Sequence, residues 1–324
     1  MPYTGLAFPQ HSTTAMPQTQ LPRKQHLISS TVLKAWMLPG TRQLAWHNLE
    51  ISRCQPKSPD VVAHEQDFIA VDHLQMEQRW AAIEEHIPEL VAAVAGTGSL
   101  TTTMEDIARQ VIALHWARSR TPHELEKRLA PLARSVVIED MIREQPELLV
   151  RAFQQQFGGL VPVGPEALRY FAEHHLQPDP TGMHRSFRDR VIENFDTVLA
   201  DLANRRIYIW DAAAGSEFVL SDIGVLTVSS DSRVAGPLYG VTWLRAEVVI
   251  MPLGPDVMIA TGSIAGRMRL TVEQTLRLNT LMVQSSVRHV AHRSGGLCDW
   301  IDATWQARPL RLEPAAGTPD QSQT

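Results

Sequence analysis

One change of pattern constrains the fold of this chain most: near residue 205, apolar residues stop recurring at helical spacing and begin to alternate. Residues 74–204 are mostly helical in pattern, residues 205–262 are mostly strand, and a last helix is predicted over 271–293. Short consecutive strands with no helices between them favour an antiparallel sheet. The predicted fold is therefore α+β, with a helical layer packed on a mainly antiparallel sheet.

Local signals set the boundaries of these elements. Apolar residues recur at three- and four-residue steps over 75–95, which predicts one amphipathic helix. Thr102 and Glu105 have the spacing of a capping box, which predicts a second helix that reaches Arg118. A third helix is predicted over 187–204. The predicted strands, separated by turn residues, are 43–50, 207–210, 217–220, 224–228, 245–251 and 256–260.

The two ends of the chain differ from the middle in composition. Residues 1–22 are rich in Pro, Gln, Ser and Thr without a hydrophobic period, and residues 313–324 share this character, so both are predicted to be disordered arms. The middle, 23–312, is predicted to be a single domain. No run of about 18 apolar residues occurs, so no membrane span is expected. Because no basic start precedes an apolar core, the expected location is the cytoplasm.

Charge and cysteine content narrow the function classes. The net charge of −5 argues against a protein that coats nucleic acid, although a local basic groove stays open. The two cysteines, Cys54 and Cys298, cannot make a disulfide scaffold or a four-cysteine zinc site. His289 and His292 have the i,i+3 spacing with which one helix face can hold a metal. No carboxylate lies close to them in sequence, so a solvated helix end is the favoured interpretation.

Two charged residues lie on apolar helix faces. Glu84 comes four residues after Trp80 and three before Ile87, so it borders the buried stripe. Arg118 comes four residues after Leu114 on the apolar line of its own helix and should point inward or into a cleft. Because a buried unpaired charge is costly, we expect Arg118 to face a carboxylate. Such pairs are structural more often than catalytic, and the spacing leaves both interpretations open.

Three further polar residues occupy positions that suit a site. Asp222 ends an apolar strand, where a sheet fixes a carboxylate, but an Asx turn that closes the strand is the alternative. Asn279 lies among apolar residues of the last helix and must find hydrogen bonds, either in a site or as a core amide. His26 lies where the ordered chain is predicted to begin, and its residue type suits an acid, a base or a metal ligand. One histidine among 13 is not a signal by itself.

These residues occur in the order of a family signature. The matching segments are Gln25-His26-Leu27-Ile28-Ser29, Ile83-Glu84, Arg118-Ser119-Arg120-Thr121-Pro122, Leu220-Ser221-Asp222-Ile223-Gly224-Val225, Pro252-Leu253-Gly254-Pro255 and Leu278-Asn279. Over about residues 24–293 the chain resembles the family catalogued as domain of unknown function number 4238. That family opens with a His-Tyr-Val-Pro motif and carries a Thr-Ser-Asp-Asn-Pro-Val segment. The resemblance supplies no function, because the family has no settled one.

The resemblance implies that the signature residues form one polar site. Those residues are His26, Glu84, Arg118, Asp222 and Asn279. This chain departs from the signature at four positions. Leu27 and Ser29 replace a tyrosine and a proline, and Ile223 and Gly224 replace an asparagine and a proline. The departures put the activity or substrate of this member in question.

The leading hypothesis is a hydrolase or nuclease-like enzyme acting on a phosphate-containing substrate, a nucleotide or a nucleic acid, in a toxin or phage-defence context. Arg118 would bind phosphate oxygens, and His26 would be the general acid or base. Glu84 and Asp222 would hold a divalent metal ion or orient the histidine. Asn279 would position the substrate or a metal-bound water. The alternative is a non-catalytic ligand- or protein-binding domain whose polar residues form a structural network.

Overall fold

A computed structural model describes residues 24–309, apart from short gaps at 67–73, 97, 161, 163, 176–179, 230–232 and 264. The predicted arms, 1–22 and 313–324, lie outside the described residues. The helices are α1 (Ser30–Lys34), α2 (Leu74–Glu85), α3 (Ile87–Ala95), α4 (Thr102–Ala117), α5 (Arg120–Glu144), α6 (Pro146–Gln156), α7 (Gly164–His174), α8 (Pro180–Leu202), α9 (Val272–Ser285) and α10 (Cys298–Gln306).

The strands form three sheets in the described part of the chain. The strands are β1 (Lys24–His26), β2 (Leu44–Asn48), β3 (Arg53–Lys57), β4 (His64–Gln66), β5 (Arg206–Asp211), β6 (Leu220–Ser221), β7 (Leu226–Val228), β8 (Val248–Gly254), β9 (Val257–Gly262), β10 (Gly266–Arg269) and β11 (His289–His292). The strand orders are β10-β5-β9-β8-β7, β3-β2-β11-β6 and β1-β4. All pairings are antiparallel except β10 with β5.

The predicted helical layer on a mainly antiparallel sheet is confirmed. In β8, Val249 and Met251 join a core that contains Trp80 of α2 and Phe195 of α8. Ile250, which points to the opposite face, joins a second core with residues of α9 and α10. The five-stranded sheet is therefore buried on both faces, between the helical layer and the closing helices.

The segment predicted as one helix over 75–95 forms two helices. α2 ends at Glu85, His86 precedes α3, and Pro88 lies in the first turn of α3. A proline lacks the backbone N–H and clashes with the carbonyl four residues earlier, so it suits a first turn and interrupts a continuous helix. The helix is therefore interrupted near Pro88, although the hydrophobic stripe continues across the break.

The N-cap of α4 is Thr101, not Thr102 as the capping-box spacing predicted. The Thr101 side chain accepts a hydrogen bond from the backbone N–H of Met104 at 3.3 Å. Glu105 is buried and its carboxylate instead accepts hydrogen bonds from Arg109 and Arg206. The acidic residue of the predicted box therefore ties α4 to β5.

The closing helix is shorter than the predicted 271–293. It begins with a capping box between Thr271 and Gln274, and it ends at Ser285. The next residues include β11, which pairs with β2 and β6, so the prediction that His289 and His292 share a helix face is wrong. Of the predicted strand 217–220, the last residue alone is paired, in β6.

The register of β2 and β3 assigns their side chains to two faces of the four-stranded sheet. Trp46 and His47 are adjacent in β2, so they point to opposite faces. Cys54 of β3 lies opposite His47, and Gln55 lies opposite Trp46. Because paired residues of neighbouring strands share a face, Cys54 and His47 lie together.

Strand β11 extends both faces. Val290 lies opposite His47, and His292, two residues further on, therefore shares the face of His47. His289 shares the face of Trp46, and their rings stack with centroids 5.0 Å apart. We call the face with Trp46 and His289 the cleft face. The face with His47 and His292 is the α10 face, since α10 contacts both residues there.

Candidate functional site

The carboxylate of Glu84 is the centre of a partly buried network that the signature residues predicted in part. The Ser29 hydroxyl donates to Glu84 Oε1 at 2.6 Å, and the Arg118 guanidinium donates to the same oxygen at 2.7 Å. Arg118 also lies over the Trp80 ring, 5.2 Å from its centroid. The expectation that Arg118 faces a carboxylate is confirmed.

His115 completes this network from α4. Its Nδ1–H donates to the Val111 carbonyl at 2.8 Å, which leaves Nε2 to accept the backbone N–H of Ser29 at 3.2 Å. Burial lowers the pKa of His115 to about 4, and the Arg118 charge acts in the same direction. His115 is therefore neutral near pH 7. We call Ser29, Glu84, His115 and Arg118 the arginine cluster.

Charges within this region set the protonation of its carboxylates. Burial by itself raises the pKa of Glu84, but Arg118 and the Ser29 hydrogen bond outweigh it and hold the pKa below its usual value. Burial raises the pKa of neighbouring Glu77, although Gln25 donates to its carboxylate at 3.0 Å. The pKa values of the two carboxylates thus shift in opposite directions, because Arg118 donates a hydrogen bond directly to Glu84 and acts on Glu77 only through its charge.

His26 lies beside the arginine cluster rather than inside it. It is the cross-strand partner of His64 between β1 and β4, and the two rings meet edge-to-face with centroids 6.1 Å apart. Burial lowers the pKa of His26, and the charges of Arg118 and His64 lower it further. His26 is therefore a neutral imidazole near pH 7, able to accept a proton.

An open cleft adjoins this histidine pair. A cavity of about 180 Å³ is lined by residues that include His64, Arg120, Asp222 and His289. A second cavity, of about 350 Å³, shares Trp46, Val61, Val62 and His289 with the first. We call the two cavities together the cleft. Its floor is the cleft face of the four-stranded sheet.

Several buried polar atoms without partners belong to the cleft residues His64 and Arg120 or to residues next to them in sequence or in strand pairing. Among the described residues, the buried side-chain atoms that lack a hydrogen-bond partner include His26 Nδ1, His64 Nδ1, Ser119 Oγ, Arg120 Nε and Thr121 Oγ1. Each such atom costs about 1–3 kcal/mol. Proteins retain a concentration of such atoms where a ligand or ordered water completes the hydrogen bonding.

Asp222 lines the cleft, but its carboxylate is already occupied. Oδ1 accepts the backbone N–H of Val287 at 2.9 Å, and Oδ2 accepts those of Arg288 and His289 at 2.8 and 3.1 Å. These three bonds fix the turn that leads from α9 into β11. Asp222 thus has a structural role in this geometry, but it holds residues 287–289 instead of forming the Asx turn that was the alternative from sequence.

Asn279 lies apart from the other signature residues. Its amide donates to the Glu217 carbonyl at 2.7 Å, and its side-chain oxygen accepts the backbone N–H of Val219 at 3.1 Å. The side chain thereby satisfies the backbone just before β6, so Asn279 behaves as a core amide. The structure brings together His26, Glu84 and Arg118, places Asp222 in the adjoining cleft, and leaves Asn279 outside.

The predicted metal ligands, Glu84 and Asp222, do not form a metal-binding group. In the described part of the chain, neither belongs to any set of three or more candidate ligand residues. Within the described ranges, the one such set lies on the α10 face and consists of His47, Cys54, His292 and Cys298. One potential ligand atom from each lies within 4.8 Å of the others. We call these four residues the cysteine–histidine cluster.

Hydrogen bonds orient both imidazoles of this cluster. Asp302 of α10 contacts His47 Nε2 at 2.8 Å, and His47 Nδ1 is buried without a partner. His292 Nδ1 is 2.9 Å from the Ser294 carbonyl, so Nε2 is the nitrogen that faces the two sulfurs. Burial, together with Cys298, raises the pKa of the Cys54 thiol to about 12 in the metal-free cluster.

Sequence reasoning missed this cluster and the cleft residues His64 and Arg120. The two cysteines are 244 positions apart in numbering, from Cys54 to Cys298, and neither belongs to a Cys-x-x-Cys motif. The available signal was the alternation of β2, which separates Trp46 from His47. The alternation predicts that His47 and His292 share a face only when the pairing of β2 with β11 is known.

The protein is thus an α+β protein with a histidine-lined cleft on one face of a sheet and a cysteine–histidine cluster on the other. The chain belongs to the family described as "Protein of unknown function (DUF4238)", whose model matches residues 24–296. No curated protein and no solved structure matches it. Among the described residues, no helix has the length and apolar character needed to cross a bilayer.

Two departures from the family signature have visible structural consequences. Ser29, in place of a proline, supplies both the hydroxyl bound to Glu84 and the N–H bound to His115; proline offers neither donor. Gly224, also in place of a proline, has a φ of +70°, which proline cannot adopt. A proline at position 29 could not make these two hydrogen bonds, and a proline at position 224 could not adopt this φ.

Proposed function

We propose that the protein is a hydrolase that binds a phosphate-containing substrate, a nucleotide or a nucleic acid, in the cleft. The observation that carries this proposal is the lining of the cleft. Arg120, Arg53 and Lys57 contribute cationic groups to it. The one carboxylate in the described lining is Asp222, which is occupied by backbone N–H groups. The cleft therefore favours an anion over a cation.

The wall shared by both cavities suits a flat substrate group. His289 stacks on Trp46 and lines each cavity. Histidine and tryptophan are among the side chains on which unpaired bases stack. A nucleotide with its base against His289 and its phosphate toward Arg120 would use both features.

In this proposal, the roles predicted from sequence for Arg118 and His26 pass to two residues that line the cleft. Arg118 is held by Glu84 at 2.7 Å and does not line the cleft. Arg120 lines the cleft and has a longer contact, 3.7 Å, with Glu65, so in this proposal Arg120 is the guanidinium that binds phosphate oxygens. His64 lines the cleft and is the acid–base group, while His26 lies behind it as a positioning residue. The proposed location is the cytoplasm. An activity of this kind is harmful in excess, so growth inhibition on expression would be its first sign in a toxin or phage-defence context.

The alternative function is ligand binding without turnover. The observation that favours it is the arginine cluster, whose hydrogen bonds are made within the protein and stabilise α2 against α4. In that case the cleft binds an anionic ligand and no bond is cleaved.

The test measures turnover and binding on the same variants. Purified protein is assayed with phosphomonoester and phosphodiester chromogens, nucleotides, and single-stranded RNA and DNA. We expect His64→Ala to lower turnover by about 10²–10⁴-fold. We also expect Arg120→Lys to weaken substrate binding, because an ammonium does not reproduce a guanidinium fork. The matched controls, His86→Ala and Arg143→Lys, change exposed residues outside the cleft.

Melting temperatures separate the outcomes. Loss of turnover with an unchanged melting temperature supports the hydrolase. Nucleotide binding by calorimetry without turnover supports the alternative. Neither binding nor turnover, or turnover that survives His64→Ala unchanged, rejects the hydrolase proposal.

A further inference from the structure

We propose that His47, Cys54, His292 and Cys298 form a structural zinc site on the α10 face of the four-stranded sheet. This inference is independent of the cleft and of any activity there. It rests on four residues that converge from β2, β3, β11 and α10.

The distances between ligand atoms suit one tetrahedral ion. Zinc bonds of about 2.0–2.3 Å place neighbouring ligand atoms about 3.3–3.8 Å apart. Cys54 Sγ lies 3.4 Å from His292 Nε2, and Cys298 Sγ lies 3.8 Å from the same nitrogen. All four candidate atoms lie within 4.8 Å of one another, so small side-chain adjustments bring them into a coordination shell.

The ligand types select zinc among common metals. Two thiolates and two imidazoles in a tetrahedral arrangement are a structural zinc set, whereas calcium and magnesium require oxygen ligands. Four protein ligands also leave no open position for a substrate or a reactive water. The site is therefore closed and structural rather than catalytic.

A cluster held by hydrogen bonds alone is a poorer account of these residues. Thiols are weak donors and weak acceptors, and His47 Nδ1 is buried without any partner. A metal ion supplies a partner for that nitrogen and for both sulfurs. The thiols release their protons to solvent when the metal binds.

The surroundings of the imidazoles match those of metal ligands. Metal-binding histidines usually give the second ring nitrogen to a carboxylate or a carbonyl. His47 contacts the Asp302 carboxylate, and His292 contacts the Ser294 carbonyl. Each histidine is 1% exposed or less, so the protein holds both rings in fixed orientations.

Such a site would fasten the C-terminal helix to the sheet. Cys298 is the first residue of α10, and Ile301 of the same helix is fully buried in the second core. Zinc would join this helix to β11, which precedes it in the chain, and to β2 and β3, which are remote in sequence. Ligand binding to the folded state alone stabilises that state, so metal removal should loosen α10 first.

The experiment uses the full chain, purified under reducing conditions without a polyhistidine tag. Elemental analysis is expected to give about one zinc per chain, in line with a single four-ligand site. The double variant Cys54→Ser, Cys298→Ser is expected to lose that zinc and to melt at a lower temperature. His86→Ala, an exposed histidine outside the cluster, is the matched control and should retain the metal.

Cobalt reconstitution and thiol reactivity keep the proposal testable if the variant does not fold. Wild-type protein reconstituted with cobalt(II) should show tetrahedral d–d bands and a sulfur-to-metal charge-transfer band. Because Cys54 and Cys298 are the only cysteines, alkylation reports on this cluster alone. Alkylation should be slow with zinc and fast after chelation.

Four outcomes would overturn the proposal. They are an absence of metal after reconstitution, an unchanged zinc content in the double serine variant, thiols equally reactive with and without chelator, and a Cys54–Cys298 disulfide in reduced preparations. None of these results bears on turnover in the cleft. Likewise, failure of the hydrolase assay leaves the zinc measurement unaffected.

Discussion

The two faces of the four-stranded sheet present histidines to different surroundings. On the cleft face, His289 is partly exposed beside the cationic lining of a cleft. On the α10 face, His47 and His292 are almost completely buried, and each has one ring nitrogen held by an oxygen of the protein. In the two proposals above, histidine thus contacts an exchangeable substrate on the cleft face and a permanent metal ion on the α10 face.

The difference teaches that strand register decides what these histidines can do. A shift of one residue in β11 would exchange the faces of His289 and His292. Asp222 opposes that shift, because its carboxylate accepts hydrogen bonds from the backbone N–H groups of residues 287–289, where β11 begins. A residue predicted as catalytic therefore sets the register on which both sites depend.

The largest expected effect is a loss of stability when the arginine cluster, which lies beside the cleft, is disrupted. Arg118→Ala removes the ion pair with Glu84 and the contact with Trp80. We expect the free energy of unfolding to fall by about 2–4 kcal/mol, from a charged hydrogen bond together with lost packing of the arginine stem. Urea denaturation measures it.

The control for Arg118 is Arg143→Ala. Arg143 also pairs with carboxylates, but it is two-thirds exposed, and exposed pairs contribute about 0–1 kcal/mol. Equal losses in the two variants would show that the arginine cluster contributes no more than a surface pair.

The second effect belongs to the α10 face and rests on the zinc proposal. Asp302→Ala removes the carboxylate that orients His47 without removing a ligand. Loss of such a partner typically lowers metal affinity by about 10–100-fold. Competition with a chelator measures that affinity. Asp299→Ala, in the same helix turn, is the control and should leave it unchanged.

The smallest effect per measured step is the change in stability near His115 for one unit of pH. Its folded pKa, about 4, lies below the ordinary value of 6.5, so the unfolded state binds the proton first as the pH falls. The contribution of His115 to the free energy of unfolding is fully present above about pH 6.5. It decreases between about pH 6.5 and 4, by about 1 kcal/mol per pH unit at most. Glu84 and Arg118 are the charged groups nearest this histidine.

Denaturation of wild type and His115→Gln at several pH values isolates this contribution. Other histidines with lowered pKa values, such as His26 and His292, remain in both proteins. The slope of stability against pH should therefore be smaller in the variant by the share of one group. Identical slopes would mean that His115 is not the buried neutral imidazole described above.

Sequence patterns anticipated part of the candidate site. The helical spacing around Glu84 and Arg118 predicted an inward charge pair, and the structure bears this out. The same reasoning could not choose between a structural and a catalytic pair, nor find Arg120 two residues later. That choice depends on which guanidinium lines a cavity, and a cavity is formed by elements distant in sequence.

The sequence by itself determined the α+β class, the helical layer and the inward positions of Glu84 and Arg118, because periodicity of 3.6 or 2 is a property of neighbouring residues. Sequence patterns missed the break at Pro88 and misplaced the N-cap of α4 and the end of α9, where local signals compete. The tertiary structure alone decided the cysteine–histidine cluster and the cleft. Both arise from the pairing of β2 with β11, whose residues are more than 240 positions apart, and no local pattern encodes that pairing.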